Sequence, residues 1–239
     1  MKRVVVLISG NGSNLQAIID SMERKEVPNA QITLVISNKK EAFGLERAKK
    51  HNIATKYFPL KPYLDSKTRS QFDLDLAQVV NGETPDLIVL AGWMLILSPN
   101  FLDSVKAPVI NLHPALPGQF AGTHAIERAH SAYQEGKIQH TGVMVHRVIP
   151  EIDAGETILS EVVPIHPEDT LEALEDRMHQ TEHRILVAAI RKILIPRVAS
   201  SSRAEIKTFD NIQEECPKRL LLHSSYFNLG KFFSHNSGR

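Results

Sequence analysis

Val4 to Ile8 is an unbroken apolar run, mostly β-branched, and it stops at Gly10 and Gly12. Leu15, Ile18, Ile19 and Met22 then recur at i, i+3, i+4 and i+7, which is one face of a helix. A fully apolar strand cannot face water, so it needs helices on both sides of its sheet. The same alternation continues. Ile32 to Ile36 reads as a strand, and residues 42–51 read as a helix that closes at Asn52-Ile53 before a short extended stretch. Phe72, Leu76, Val79 and Val80 mark another helix face, stopped at Pro85-Asp86. Leu87 to Ala91 and Val109 to Leu112 are buried strands, and residues 124–135 a helix. This order predicts a mostly parallel sheet. Such sheets bind ligands beyond the carboxyl ends of their strands, so Gly10 to Asn14, Ala91 to Leu97 and Asn111 to Pro114 are expected on one rim.

The pattern changes after Thr141. Val143 to Val148 and Thr157 to Pro164 are two strand-like runs joined by residues 149–156, which suggests an antiparallel pair with a longer loop. A last helix covers about Thr170 to Leu194, with Pro196 ending it. The fold class expected is α/β: a Rossmann-like, doubly wound, mostly parallel sheet with helices on both faces and an antiparallel C-terminal strand pair. Residues 1–196 form the expected domain. Residues 197–239, which open with Ser200-Ser201-Ser202 and show no long apolar period, read as a linker or disordered tail.

Bulk properties narrow the function. The 239 residues are 42% hydrophobic and 23% charged, with a net charge of +1, so no global basic field attracts nucleic acid or membrane. Cys216 is the only cysteine, which excludes an intramolecular disulfide and a Cys-rich zinc site and suits a reducing, cytoplasmic setting. The N-terminal apolar run is too short and too interrupted for a signal peptide. The longest apolar run, Leu87 to Leu97, falls short of the roughly 20 residues a bilayer needs and reads as a strand leading into a site. The sequence carries no signal for an oligomeric state.

Three segments could carry chemistry. Gly10-Asn11-Gly12-Ser13-Asn14 joins a strand to a helix, where glycines admit close approach and helix-start N–H groups favour an anion. The plainer alternative is a tight turn with Asn14 as N-cap. Asn111 and His113 share one face of a strand end; an amide there can donate to an oxyanion and an imidazole can carry a proton. The alternative is a hydrogen-bonded pair that closes a strand. Asp153, in the loop between the late strands, would raise the His113 pKa if it lay nearby, or it is simply a turn residue before Ala154-Gly155. The remaining histidines include His124, His140, His146, His166, His179 and His183. His179 and His183 share a helix face at i, i+4, but no third ligand is evident, so no metal site is expected.

These segments together resemble the glycinamide ribonucleotide formyltransferases. The likeness is carried by residues 6–16 (VLISGNGSNLQ), by Ala91-Gly92-Trp93-Met94 with Ile96-Leu97-Ser98, by residues 111–118 (NLHPALPG), by Asp153-Ala154-Gly155 and by Thr181-Glu182-His183. It covers roughly residues 2–195. The resemblance implies an enzyme of purine (IMP) biosynthesis and one-carbon metabolism that moves a formyl group from 10-formyltetrahydrofolate to the amine of a phosphoribosylglycinamide. It implies small-molecule substrates, with 10-formyltetrahydrofolate as formyl donor and no metal. Carried over position by position, Gly12, Ser13 and Asn14 would hold the substrate phosphate, with His179 and Glu182 also on the substrate side. Arg69, Met94, Leu95, Ile96 and Leu97, then Asn111, then Ile149, Pro150, Glu151, Ile152 and Asp153 would line the folate pocket. Asn111, His113 and Asp153 would form the catalytic trio, with a protonated His113 held charged by Asp153.

Leu95 stands where bacterial relatives often have Arg, and the stretch from His113 to Asp153 is longer than in compact bacterial members, around Ser131 to Ile138. Enzymes with the same Asn-x-His…Asp site include methionyl-tRNA formyltransferase and 10-formyltetrahydrofolate hydrolases. The loop at 10–14 favours a phosphorylated small substrate instead. There is no room before residue 4 for the hydrolases' regulatory domain, and the tail is weakly patterned for tRNA. A non-catalytic folate- or nucleotide-binding module would not need all three trio residues. A nicotinamide dehydrogenase lacks support because the first loop has no third glycine.

Overall fold

The computed structural model describes residues 1–195. The expected disordered tail and the helix stop at Pro196 lie outside the described residues. Seven strands, β1 (Lys2–Ile8), β2 (Ala30–Ser37), β3 (Thr55–Tyr57), β4 (Leu87–Leu90), β5 (Val109–His113), β6 (His140–Arg147) and β7 (Thr157–Pro164), form one sheet in the order β3-β2-β1-β4-β5-β6-β7. The first five run parallel, and β6 and β7 are antiparallel to their neighbours. The α/β fold class is therefore as the periodicity predicts.

Alternation along β1 divides the core. Val4, Val6 and Ile8 point to one face and Val5 and Leu7 to the other, and all five are fully buried. The first face is covered by α1 (Ser13–Glu23), α2 (Phe43–Lys50), α6 (Ala125–Gln134) and α7 (Leu171–Leu194). The second is covered by α4 (Arg69–Gly82) and α5 (Pro99–Ser104), with Phe58, Tyr63 and Phe72 packed ring against ring. The periodicity misses α5 and α3 (Lys61–Leu64), each too short to show a helical period.

Thr170 caps α7 by accepting from the Ala173 N–H. Asp169, just ahead of it, takes both terminal nitrogens of Arg177 at 2.6 and 2.7 Å. That pair holds the Asp169 carboxyl well below the usual carboxylate range. Among the described residues no helix is long and apolar enough to cross a membrane.

Candidate active site

The chain order of the strands reverses between β1 and β4, and that is where an open α/β sheet leaves a crevice. The loops after these two strands are tied across it by Ser9. Its hydroxyl accepts from the Met94 N–H at 2.8 Å and donates to Asn38 Oδ1 at 2.6 Å.

On the β1 side, Gly12 rather than Asn14 caps α1, with φ at +76°. No side chain caps this helix start, so its first N–H groups, beginning at Ser13 and Asn14, remain for another acceptor. The N-cap alternative for Asn14 is thus corrected. The loop is held by α2: the Gly44 N–H donates to the Gly10 carbonyl at 3.1 Å, and Arg47 donates to the Asn11 carbonyl and side-chain oxygen at 3.0 and 2.8 Å. Asn14 Nδ2 donates to Glu182 Oε2 of α7 at 2.9 Å, which brings these two expected residues together. The Glu182 side chain is buried, and Asn14 Oδ1 is buried with no partner among the described residues. His179, on the same helix, is exposed and makes no side-chain hydrogen bond among the described residues.

On the β4 side, Met94, Leu95, Ile96, Leu97 and Ile149 to Asp153 line one cavity of about 470 Å³, together with Asn111 and His113. Met94 and Ile96 are about three-fifths exposed and Ile152 half exposed, so large apolar side chains face a concave space. Arg69 does not line this cavity. It donates to the Ile96 carbonyl and pairs with the fully buried Asp73 at 3.1 Å, so it holds the cavity loop by its backbone.

Asn111, His113 and Asp153 meet at the cavity wall. Asp153 Oδ2 lies 3.3 Å from His113 Nδ1 and accepts the Gly122 N–H at 2.8 Å. Asp153 Oδ1 accepts from Asn111 Nδ2 at 3.3 Å. His113 Nε2 donates to the Phe120 carbonyl at 3.1 Å. Asp153 has φ at +52°, and Gly155 behind it sits so close to Arg147 that a Cβ would fall 1.8 Å from the Arg147 carbonyl oxygen. The Asp-x-Gly turn therefore needs its glycine for close packing.

Asp153 does pull the His113 pKa upward, as expected of a nearby carboxylate, but the net direction is opposite. Burial pushes the His113 imidazole below its ordinary value; the Asp153 charge opposes this without overcoming it, and His146 adds to it. Burial alone would raise Asp153. A hydrogen bond from His146, the Gly122 N–H and the charges of both histidines instead hold it below the usual carboxylate value.

Residues 2–190 match the formyl transferase family. The chain belongs to that family. It is 54% identical over 198 residues to the phosphoribosylglycinamide formyltransferase of Dictyostelium discoideum, covering 79% of this chain and 96% of the relative. It is 50% identical over 199 residues to that of Schizosaccharomyces pombe, covering 80% and 96%. The crystal structure of glycinamide ribonucleotide transformylase 1 from Geobacillus kaustophilus superposes with a TM-score of 0.74 at 36% identity, covering 81% of this chain and 99% of that one. The formyltransferase resemblance and the Rossmann-like architecture are both borne out.

Within the family frame one residue of the site carries no role in the sequence reading. His146 is buried on β6, directly across the β5–β6 pair from Asn111. Its Nδ1 donates to the Arg147 carbonyl at 2.9 Å, which directs Nε2 at Asn111 Nδ2 (3.3 Å) and Asp153 Oδ1 (3.4 Å). The signal in the sequence is weak: only the cross-strand register selects His146 from the other histidines.

Proposed function

We propose that this protein transfers the formyl group of 10-formyltetrahydrofolate to the amine of N1-(5-phosphoribosyl)glycinamide, as a cytoplasmic step of purine biosynthesis. The single observation carrying this reading is the Asn111–His113–Asp153 cluster on the wall of an apolar cavity, at the crevice that also receives the uncapped start of α1. Family membership supports the formyl chemistry.

In this reading the folate occupies the cavity against Met94 to Leu97 and Ile149 to Asp153. The substrate phosphate takes the N–H groups at Gly12, Ser13 and Asn14. Glu182, with His179 at the rim, accepts from hydroxyl or amine groups of the phosphoribosyl part, and the unpaired Asn14 oxygen adds an acceptor.

The neutral amine attacks the formyl carbon, forming the new C–N bond and moving the C=O π pair onto oxygen. Asn111 donates to that oxyanion; its present contacts of 3.3 Å are long and cheap to exchange. The proton released by the amine passes through water to His113 Nδ1, the ring nitrogen that is not already donating, and the resulting imidazolium is held between Asp153 and the Phe120 carbonyl. The oxyanion pair then re-forms the C=O bond as the C–N bond to the folate breaks, and the leaving nitrogen keeps that bonding pair and takes the proton from His113. The products are formylglycinamide ribonucleotide and tetrahydrofolate.

The test mixes the purified full chain with both substrates and follows tetrahydrofolate and formylated ribonucleotide together. Equal appearance of both is expected. Folate release without formylated ribonucleotide, or no turnover in folded protein, would overturn the reading.

A further inference from the structure

The segment from Gly118 to His124, between β5 and α6, crosses the site in a costly backbone conformation. Gly118 and Gly122 have φ of +77° and +86°, and two residues with side chains, Phe120 and His124, have φ of +46° and +58°. Such residues cost on the order of 1–3 kcal/mol each and persist only where their surroundings hold them. Two peptide groups of this strap touch the trio. The Phe120 carbonyl accepts from His113 Nε2 at 3.1 Å, and the Gly122 N–H donates to Asp153 Oδ2 at 2.8 Å.

One side chain ties these peptides down. Arg128, in the first turns of α6, donates through Nη2 to the Phe120 carbonyl at 2.5 Å and to the Ala121 carbonyl at 2.8 Å, and through Nε to the His124 carbonyl at 3.3 Å. Its guanidinium lies 5.7 Å from the centre of the Phe120 ring. Arg128 does not line the folate-side cavity; its neighbours across a shallow cleft are Glu127, Glu135 and Lys137. A planar fork that reaches three carbonyls at once is a task for arginine and not for the single-point donor of lysine.

We propose that Arg128 is a positioning residue of the active site: by clamping the 118–124 strap it fixes the Phe120 carbonyl on His113 and the Gly122 N–H on Asp153. The proposal rests on the formyl-transfer reading for its kinetic part only. An exposed arginine that merely stabilised a loop would change stability and leave His113 untouched.

The experiment uses the full chain with R128M and R128K and two readouts. The first is kcat and KM for both substrates. In R128M, kcat is expected to fall on the order of tenfold to a hundredfold, the scale of a small misplacement of catalytic groups, with both KM values within about threefold. R128K, which keeps the charge and loses the fork, is expected to stay closer to R128M than to the parent.

The second readout needs no turnover: the NMR titration of the His113 ring, assigned by its loss in H113N. Asp153 and His146 are the titratable groups facing His113, and neither is altered. Loosening the Phe120 carbonyl removes an acceptor that favours imidazolium, so the midpoint is expected to move to lower pH in both variants. A midpoint unmoved or raised in folded variants, or R128K behaving as the parent, overturns the proposal. Absence of turnover in the parent itself would reject the functional reading, while the titration would still decide the role of Arg128.

Discussion

Asp153 Oδ2 sits 3.3 Å from His113 Nδ1, and both side chains are nearly excluded from solvent. This carboxylate is also held by Asn111 and the Gly122 N–H, so it acts as the hub that orients the imidazole. His113→Ala and Asp153→Ala are each expected to lower kcat by about 10²-fold or more, the scale of losing a preorganised donor. Circular dichroism should remain that of the parent. Near-normal turnover in both variants would remove these residues from the mechanism.

His113 should titrate below the ordinary histidine value of about 6.5, because burial outweighs the attraction of Asp153. The sign is set by the charge each form carries. A depressed folded-state value means that the neutral imidazole persists as pH falls, so the base function holds above that value and is lost as pH falls through it. Asp153→Asn removes the main influence that raises the value, so the midpoint should drop further. NMR titration of both proteins checks this, and a midpoint above the ordinary value in the parent would contradict it.

Gly12 and Gly44 interlock. A Cβ on Gly44 would lie 2.4 Å from Ile8 Cδ1 and 3.2 Å from the Gly12 Cα, and one on Gly12 would lie 2.7 Å from the Gly44 Cα. Gly44→Ala therefore displaces the Ile8 side chain and presses the 10–14 loop slightly away from α2. The KM for the phosphoribosyl substrate is expected to rise about tenfold, the equivalent of one weakened charge-assisted contact. The KM for the folate should stay within about twofold, since that cavity belongs to other loops. Equal rises in both constants would show that the loop does not serve the phosphate side alone. Gly12→Ala adds a left-handed backbone penalty of about 1–2 kcal/mol and should be the worse variant.

Much of this was legible in the residues themselves. The apolar runs of β1, β2, β4 and β5 and the helical spacing after each reflect burial on both faces of a parallel sheet. The periodicity of α7 places Leu174, Met178, Ile185 and Ala189 inward, as it indicates. Asp153 carries a weaker local signal, because a turn aspartate before Ala-Gly has an ordinary local explanation. Arg69, which the resemblance assigns to the folate pocket, bonds the Ile96 carbonyl of the pocket loop, a tertiary contact that no local pattern along α4 reveals.

The alternation of elements, the glycine-bearing loop at the end of β1 and the Asn-x-His face of β5 are all written in the order of residues. Each of these is a property of neighbours in the chain. Which distant groups complete the site depends instead on how the chain folds back on itself. The antiparallel register of β6 sets His146 opposite Asn111, the turn at Asp153 delivers a carboxylate to His113, and Arg128 fixes the strap between them. The tertiary structure also decided the direction in which the His113 pKa moves. Desolvation depends on everything packed around a group, and in this site it outweighs the one carboxylate that the sequence could suggest.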